Sequence, residues 1–353
     1  MSEGQVKLAR RFRGQAEACA ALGSPLYADL LTRAAEDIAV SGPVWRAAAP
    51  LADVPGGAVP ALRFMGATHR LALDGSAPAL ATHYPSCGGD GDGEGAWAAL
   101  SALAESAAGQ AWWEPLLAMG VQTNEVGRAA ALLGGFLAVA RETGLPLRVL
   151  ETGASAGLNL RWDRFRYGSW WGPQRSPVDQ GDPWVGDRRP DFTPQTVEIA
   201  ERAGCDIAPL DPSSPAGRLT LLSFVWPDMR RRFELLDGAC DLADELPLAV
   251  DAVPADEWAG VRLAEPTPGL ATVIYHSVFI QYVPREARER LLAVIARAGR
   301  AATATAPIAW LRLEPPGPLG PADFEVRLTT WPGGEDRRLA TCHPHGVWVD
   351  WCA

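Results

Sequence analysis

Residues 147–159 read LRVLETGASAGLN, and this stretch decides the fold. Leu147 to Leu150 is a short apolar run without polar alternation, the pattern of a strand buried on both faces of a parallel sheet. Glu151 closes the run, and Gly153-Ala154-Ser155-Ala156-Gly157 follows as a turn of small residues. Small residues let backbone amides approach a ligand closely, and such a turn at the carboxyl edge of a parallel sheet is where nucleotide cofactors lie.

Working outward, comparable apolar runs recur at Leu248 to Val250, Ala271 to Tyr275 and Ile308 to Leu313, with helical patterns at Asp228 to Leu246 and Arg285 to Ala298 between them. Alternation of strand and helix predicts an α/β fold with a mostly parallel sheet and helices on both faces. Phe324 to Thr330 and Leu339 to Trp351 flank Pro332-Gly333-Gly334, so the sheet is expected to close with an antiparallel hairpin. Trp170 to Arg189 is rich in Trp, Gly, Pro and charge, and marks an irregular insertion at about 160–215 that is expected to form an ordered lid. Within it Thr193-Pro194 is expected to open a helix that ends at Gly204.

The first 145 residues read as an all-helical domain, leaving 146–353 for the sheet. Val6 to Leu22 stops at Gly23, and Ser24-Pro25 opens a second helix to about Val40. Leu62, Met65, His69 and Ala72 share one face of a third helix that Asp74-Gly75 would end, and Gly88 to Gly95 reads as a flexible loop. A strongly apolar helix then starts at Thr123-Asn124 and stops at Gly144.

The totals narrow the classes of function. The 353 residues carry a net charge of −10, from 32 basic and 42 acidic side chains, and the basic ones form short local runs. Binding to a nucleic-acid backbone is therefore not expected, and a small-molecule substrate is. The apolar stretch from Ala129 to Ala140 falls short of the roughly 20 residues that cross a bilayer, so no membrane partner is expected. Six scattered cysteines without a C-x-x-C pair, and no leader pattern at the start, lead to the expectation of reduced thiols and a cytoplasmic location. The oligomeric state has no signature in the sequence.

The spacing acid-x-G-x-x-x-G at Glu151, Gly153 and Gly157 resembles the first motif of class I S-adenosylmethionine-dependent methyltransferases. ATVIYHSVFIQYVPREARERLLAVIARAGR, from Ala271 onward, looks like the fourth strand and following helix of that fold, and the final hairpin looks like its last two strands. FRGQAE at Phe12, VQTNEVGRA at Val121, ETGASAGLNLRWDRF at Glu151, WPD at Trp226 and YHSVFIQY at Tyr275 together resemble an uncharacterised bacterial family, a domain of unknown function with a methyltransferase-like core. The resemblance implies a Rossmann-like core of class I methyltransferase type, S-adenosylmethionine as cofactor, and methyl transfer to a small acceptor. It also implies that Glu151, Gly153, Ala154, Ser155, Gly157 and Asn159 bind the donor, with Asn124 and Arg128 at the start of the preceding helix near its carboxylate. The acid for the ribose hydroxyls is either Asp206 or Asp251, and Asp251 is preferred because LPLAVDA reads as a strand ending in an acid.

His276, at the end of an apolar strand, is the candidate general base, since an imidazole with a reference pKa of about 6.5 suits neutral pH. Tyr282 stands with it as a catalytic candidate, and Gln281 and Trp226 are expected to face the acceptor. The same turn also satisfies G-x-S-x-G, so the alternatives are a serine hydrolase, with Ser155, Asp251 or Asp256, and His276 or His345 as a triad, or a catalytically silent binding protein. Cys342-His343-Pro344-His345 lacks the usual half-sites of structural zinc, and no metal is expected.

Overall fold

A computed structural model describes residues 2–55, 59–317 and 323–353 of the chain. It divides into two compact units, Met1–Thr123 with Pro215–Glu234, and Asn124–Ser214 with Leu235–Ala353. The boundary thus falls before the apolar helix Arg128–Thr143 rather than at 145, and the first unit takes back a later segment.

The first unit is helical, with no strand before Leu147 among the described residues. Helix Glu3–Ala21 starts in a capping box between Ser2 and Gln5, which satisfies two orphan donors of the first turn. Helices Pro25–Ala39, Pro60–Leu73, Gly93–Glu105 and Ala107–Leu117 follow. Their apolar faces meet around Phe12, Tyr27, Phe64 and Trp113, with Phe64 and Trp113 stacked at 5.3 Å. The returning segment enters that core through Trp226, 6.3 Å from Tyr27, and through Asp228, which accepts from the Ser24 hydroxyl and the Leu26 amide.

The second unit is a mixed α/β structure on one large, mostly parallel sheet. Its strands are β1 (Leu147–Thr152), β2 (Trp184–Val185), β3 (Ile199–Asp206), β4 (Asp251–Ala252), β5 (Ala271–Ser277), β6 (Ile308–Glu314), β7 (Phe324–Trp331), β8 (Glu335–Cys342) and β9 (Val349–Trp351). They lie in the order β2-β9-β8-β7-β6-β5-β1-β3-β4. From β4 to β6 every pairing is parallel, whereas β6 to β9 form an antiparallel meander. The expected closing hairpin is present as β7 and β8, with the second strand earlier than the sequence suggested because the pair turns tightly at Pro332 to Gly334.

The chain leaves β1 toward β3 and β4 on one side, then returns to β5 and β6 on the other. Such a reversal, here between β1 and β5, marks the carboxyl ends of the two strands as the place where open parallel sheets hold ligands in a crevice. Helix Arg128–Thr143 covers one face, and Gly135 brings it so close that an added Cβ would lie 2.4 Å from Leu311. Helices Ala255–Arg262 and Arg285–Ala301 cover the other face over Leu150, Ile274, Leu291 and Ile295.

One local expectation is corrected. Residues 194–204 do not form a helix: Ile199–Asp206 is β3, paired in parallel with β1 and β4, and its position in the sheet buries Ala203 and Cys205. The insertion carries little regular structure but is ordered by rings, with Trp162 stacked on Trp171 at 5.6 Å and Trp170 on Phe192 at 5.4 Å. Its strand β2 joins β9 at the far edge of the sheet, while Leu210 N donates to Ser155 O of the glycine turn and Gln180 Nε2 to Val126 O.

Candidate functional site

The crevice at the end of β1 is lined by side chains from the turn, from β5 and from residues 124–128. Glu151 is 2 % exposed. Burial pushes its carboxyl up to about 8; Asp206 adds to the rise, while the Tyr275 phenol, Arg128 and Arg161 oppose it. The Tyr275 ring stands beside this carboxyl, and among the described residues neither Glu151 Oε2 nor the Tyr275 hydroxyl has a partner at good hydrogen-bond geometry. Thr152 Oγ1 and Asn159 Oδ1 are likewise buried without partners among the described residues. Four such atoms in one neighbourhood are unusual, because buried polar groups are nearly always paired.

The turn itself is tightly self-satisfied. Gly153, Ser155 and Gly157 all have positive φ, +70°, +53° and +68°. The Asn124 side-chain oxygen accepts from the amides of Ala156 and Leu158 at 3.2 and 3.0 Å. Asp206 accepts from the Ser155 amide at 3.0 Å, and the Ala154 amide donates to the Cys205 carbonyl. Asn159 donates to the Glu125 carbonyl at 3.1 Å, tying segment 124–128 to the turn. Arg128 then reaches the end of β5, donating to Ser277 O at 3.2 Å and to Pro344 O at 2.8 Å. Arg161, buried behind the turn, donates to Gly157 O and twice to Leu246 O.

Facing the turn, the Phe279 ring packs on Gly153, where an added Cβ would lie 2.1 Å from it. The loop that carries Phe279 bends at Val278, a β-branched residue at φ +53°. Glu314 Oε1 holds the bend by accepting from the amides of Phe279 and Ile280 and from His276 Nδ1, at 2.8, 3.1 and 2.7 Å. Burial works to raise the Glu314 pKa, but His276 and the two amides outweigh it and keep the carboxyl below its usual range.

The sequence-predicted residues therefore separate. Glu151, Gly153, Ala154, Ser155, Gly157, Asn159, Asn124, Arg128 and Asp206 come together around the crevice. Asp251 does not join them: it opens the short strand β4 and accepts from Trp258 Nε1 at 2.7 Å and from Arg262 at 3.2 Å, the indole bond first and the guanidinium next lowering its pKa. Asp206, the other acid the sequence offers, ends the second core strand; the sequence ranks it behind Asp251 because the residues before it read as a helix. His276 does not stand as a base: Nδ1 meets the Glu314 carboxylate, so Nε2 is the lone-pair nitrogen, and the Trp310 indole N–H caps it at 3.2 Å. Gln281 and Tyr282 lie on the exposed loop beyond Phe279, Tyr282 being 55 % exposed. Trp226 is 5 % exposed and packs inside the helical unit's core. Phe279 and Glu314 went unnoticed in the sequence, because an apolar residue after a strand and an acid ending the next one carry no motif. For the hydrolase reading, Asp256 is paired with Arg290 at 2.7 Å and His276 with Glu314 and Trp310, so neither is held for Ser155.

Fold and site define a mixed α/β protein with a large, mostly parallel sheet and a cluster of buried polar side chains where the strand order reverses. The chain belongs to the bacterial family described as "Uncharacterized protein conserved in bacteria (DUF2332)", which matches residues 9–351. No curated protein and no solved structure matches it. Among the described residues, no helix is long and apolar enough to cross a membrane.

Proposed function

We propose that the chain is a cytoplasmic S-adenosylmethionine-dependent methyltransferase of class I type, with β1, β3, β4, β5 and β6 as its Rossmann-like core and a small molecule as acceptor. The observation that carries this reading is the placement of one acid at the carboxyl end of each of the first two core strands, Glu151 and Asp206, beside the reversal of strand order between β1 and β5.

The side chains suit the cofactor better than the turn does. Glu151 Oε2, beside the Tyr275 phenol, and Asn159 Oδ1 are buried atoms without well-aligned partners among the described residues, and Arg128 would add positive charge near a ligand carboxylate. Asp206 is half-buried and offers acceptors for hydroxyl groups. The turn amides are spent inside the chain and Phe279 lies over Gly153, so the hold falls to side chains and the Phe279 ring must swing aside. Bound there, S-adenosylmethionine supplies an electrophilic methyl group on a sulfonium. The chain's part is alignment and exclusion of water, which methyl transfer needs more than an acid–base pair. Gln281 and Tyr282, on the loop next to Phe279, are placed to meet the acceptor. Six free cysteines accord with a reducing compartment.

Isothermal titration with S-adenosylhomocysteine tests this. Saturable binding is expected, weakened by about tenfold or more, or about 1.4 kcal/mol, in Glu151→Gln and in Asp206→Asn. Absence of heat at millimolar ligand, or binding indifferent to both changes, overturns it.

A further inference from the structure

Within the helical unit, His69 is fully buried on helix Pro60–Leu73, with Tyr84 edge-on at 5.5 Å and Phe233 at 6.3 Å. Its Nδ1 lies 3.1 Å from the Ser223 carbonyl oxygen. A carbonyl only accepts, so Nδ1 carries the proton and Nε2 presents its lone pair. That lone pair meets the Ser86 hydroxyl at 2.7 Å. Ser86 is only half-buried, on the single turn Pro85–Cys87, and the chain leaves it through Gly88 at φ +84°.

A hydroxyl hydrogen-bonded to an imidazole, which a third group fixes in the correct tautomer, is the arrangement that activates a serine nucleophile. We propose that Ser86 and His69 form a second chemical site in this protein, an acyl-accepting serine with its general base, for a small ester. The Ser86 oxygen bonds to the ester carbonyl carbon while its proton passes to His69 Nε2. Collapse of the adduct breaks the carbon–oxygen bond to the alcohol, which leaves with that proton. Water then attacks the acyl-serine carbon, giving one proton to Nε2; the acid departs as Ser86 recovers that proton.

Two further observations bear on this assignment. Burial lowers the His69 pKa to about 4, so the ring is neutral throughout the neutral range but a weak base, and proton transfer to it has to accompany attack on the carbonyl. The Tyr84 hydroxyl, two residues before Ser86, is buried without a hydrogen-bond partner among the described residues, so a donor remains in the same neighbourhood.

The test is labelling of the full chain with a biotinylated fluorophosphonate, which loses fluoride as the serine oxygen bonds to phosphorus, followed by peptide mapping. Label on Ser86 is expected, abolished in Ser86→Ala and slowed roughly a hundredfold in a His69→Gln protein that still melts cooperatively. If His69→Gln does not fold, the wild-type map decides alone. A folded wild-type protein without label on Ser86, or with label on Ser155 instead, overturns the proposal, as does an unchanged rate in folded His69→Gln. The outcome is independent of cofactor binding at β1.

Discussion

At the scale of single residues, Glu151 is the group whose chemistry the fold alters most. An ordinary glutamate has a pKa near 4.5, and here burial first, with Asp206 adding, raises it to about 8. Between those two values the folded chain keeps a proton that the unfolded chain has lost. Stability is therefore greatest below the ordinary carboxyl range and declines as pH rises through about 8. Glu151→Gln cannot ionise, so its stability should stay flatter over the same window; urea midpoints of both proteins across that range check this. A wild-type profile parallel to that of the variant would mean that Glu151 is already ionised in the folded chain. The same reasoning explains why His276, chosen from its place at a strand end, is a strut: the choice depended on residue type, whereas Trp310 and Glu314 decide its role from neighbouring β6.

At the scale of elements, the glycine turn and the loop after β5 act as one unit. Gly153 occupies left-handed backbone at φ +70° and also leaves room for the Phe279 ring. Gly153→Ala should therefore cost about 1–2 kcal/mol for the backbone and about 1–3 kcal/mol for the clash. Adding Phe279→Ala in that background should return the clash and leave the backbone cost, a non-additivity that denaturant unfolding of the two single variants and the double variant would reveal. Strict additivity would show that the ring does not rest on the turn. The turn's identity was legible from residues 151–157 because glycines directly after a short apolar run supply the positive-φ positions that a tight turn needs. Its partners were not, since Asn124, Asp206, Phe279 and Glu314 come from four separate segments and no local pattern links them.

At the scale of the whole molecule, the chain leaves the helical unit at Thr123 and contributes to it again from Pro215 to Glu234. The returning segment fills rather than decorates that core: Phe224 packs against Gly66, Trp226 against Tyr27, and Asp228 ties down the start of helix Pro25–Ala39. His69 also depends on it, through the Ser223 carbonyl. A fragment ending at residue 123 should accordingly show no cooperative thermal transition by circular dichroism, while the same fragment joined by a linker to 215–234 should regain one. A cooperative melt of 1–123 alone would show that the returning segment is dispensable.

The sequence by itself determined the α/β class, the helical first part, the strand and turn at 147–157 and the closing hairpin, because periodicity and glycine placement are local and act within a few residues. It assigned β3 to a helix because IAERAGCD has no alternation, and only pairing with β1 and β4 makes that segment extended. Tertiary structure alone decided that Asp206 and not Asp251 stands beside Glu151, that both His276 nitrogens are engaged, and that Ser86 meets His69. Each of these depends on atoms brought together by strand order or helix packing, and such contacts leave no trace in the spacing of residues along the chain.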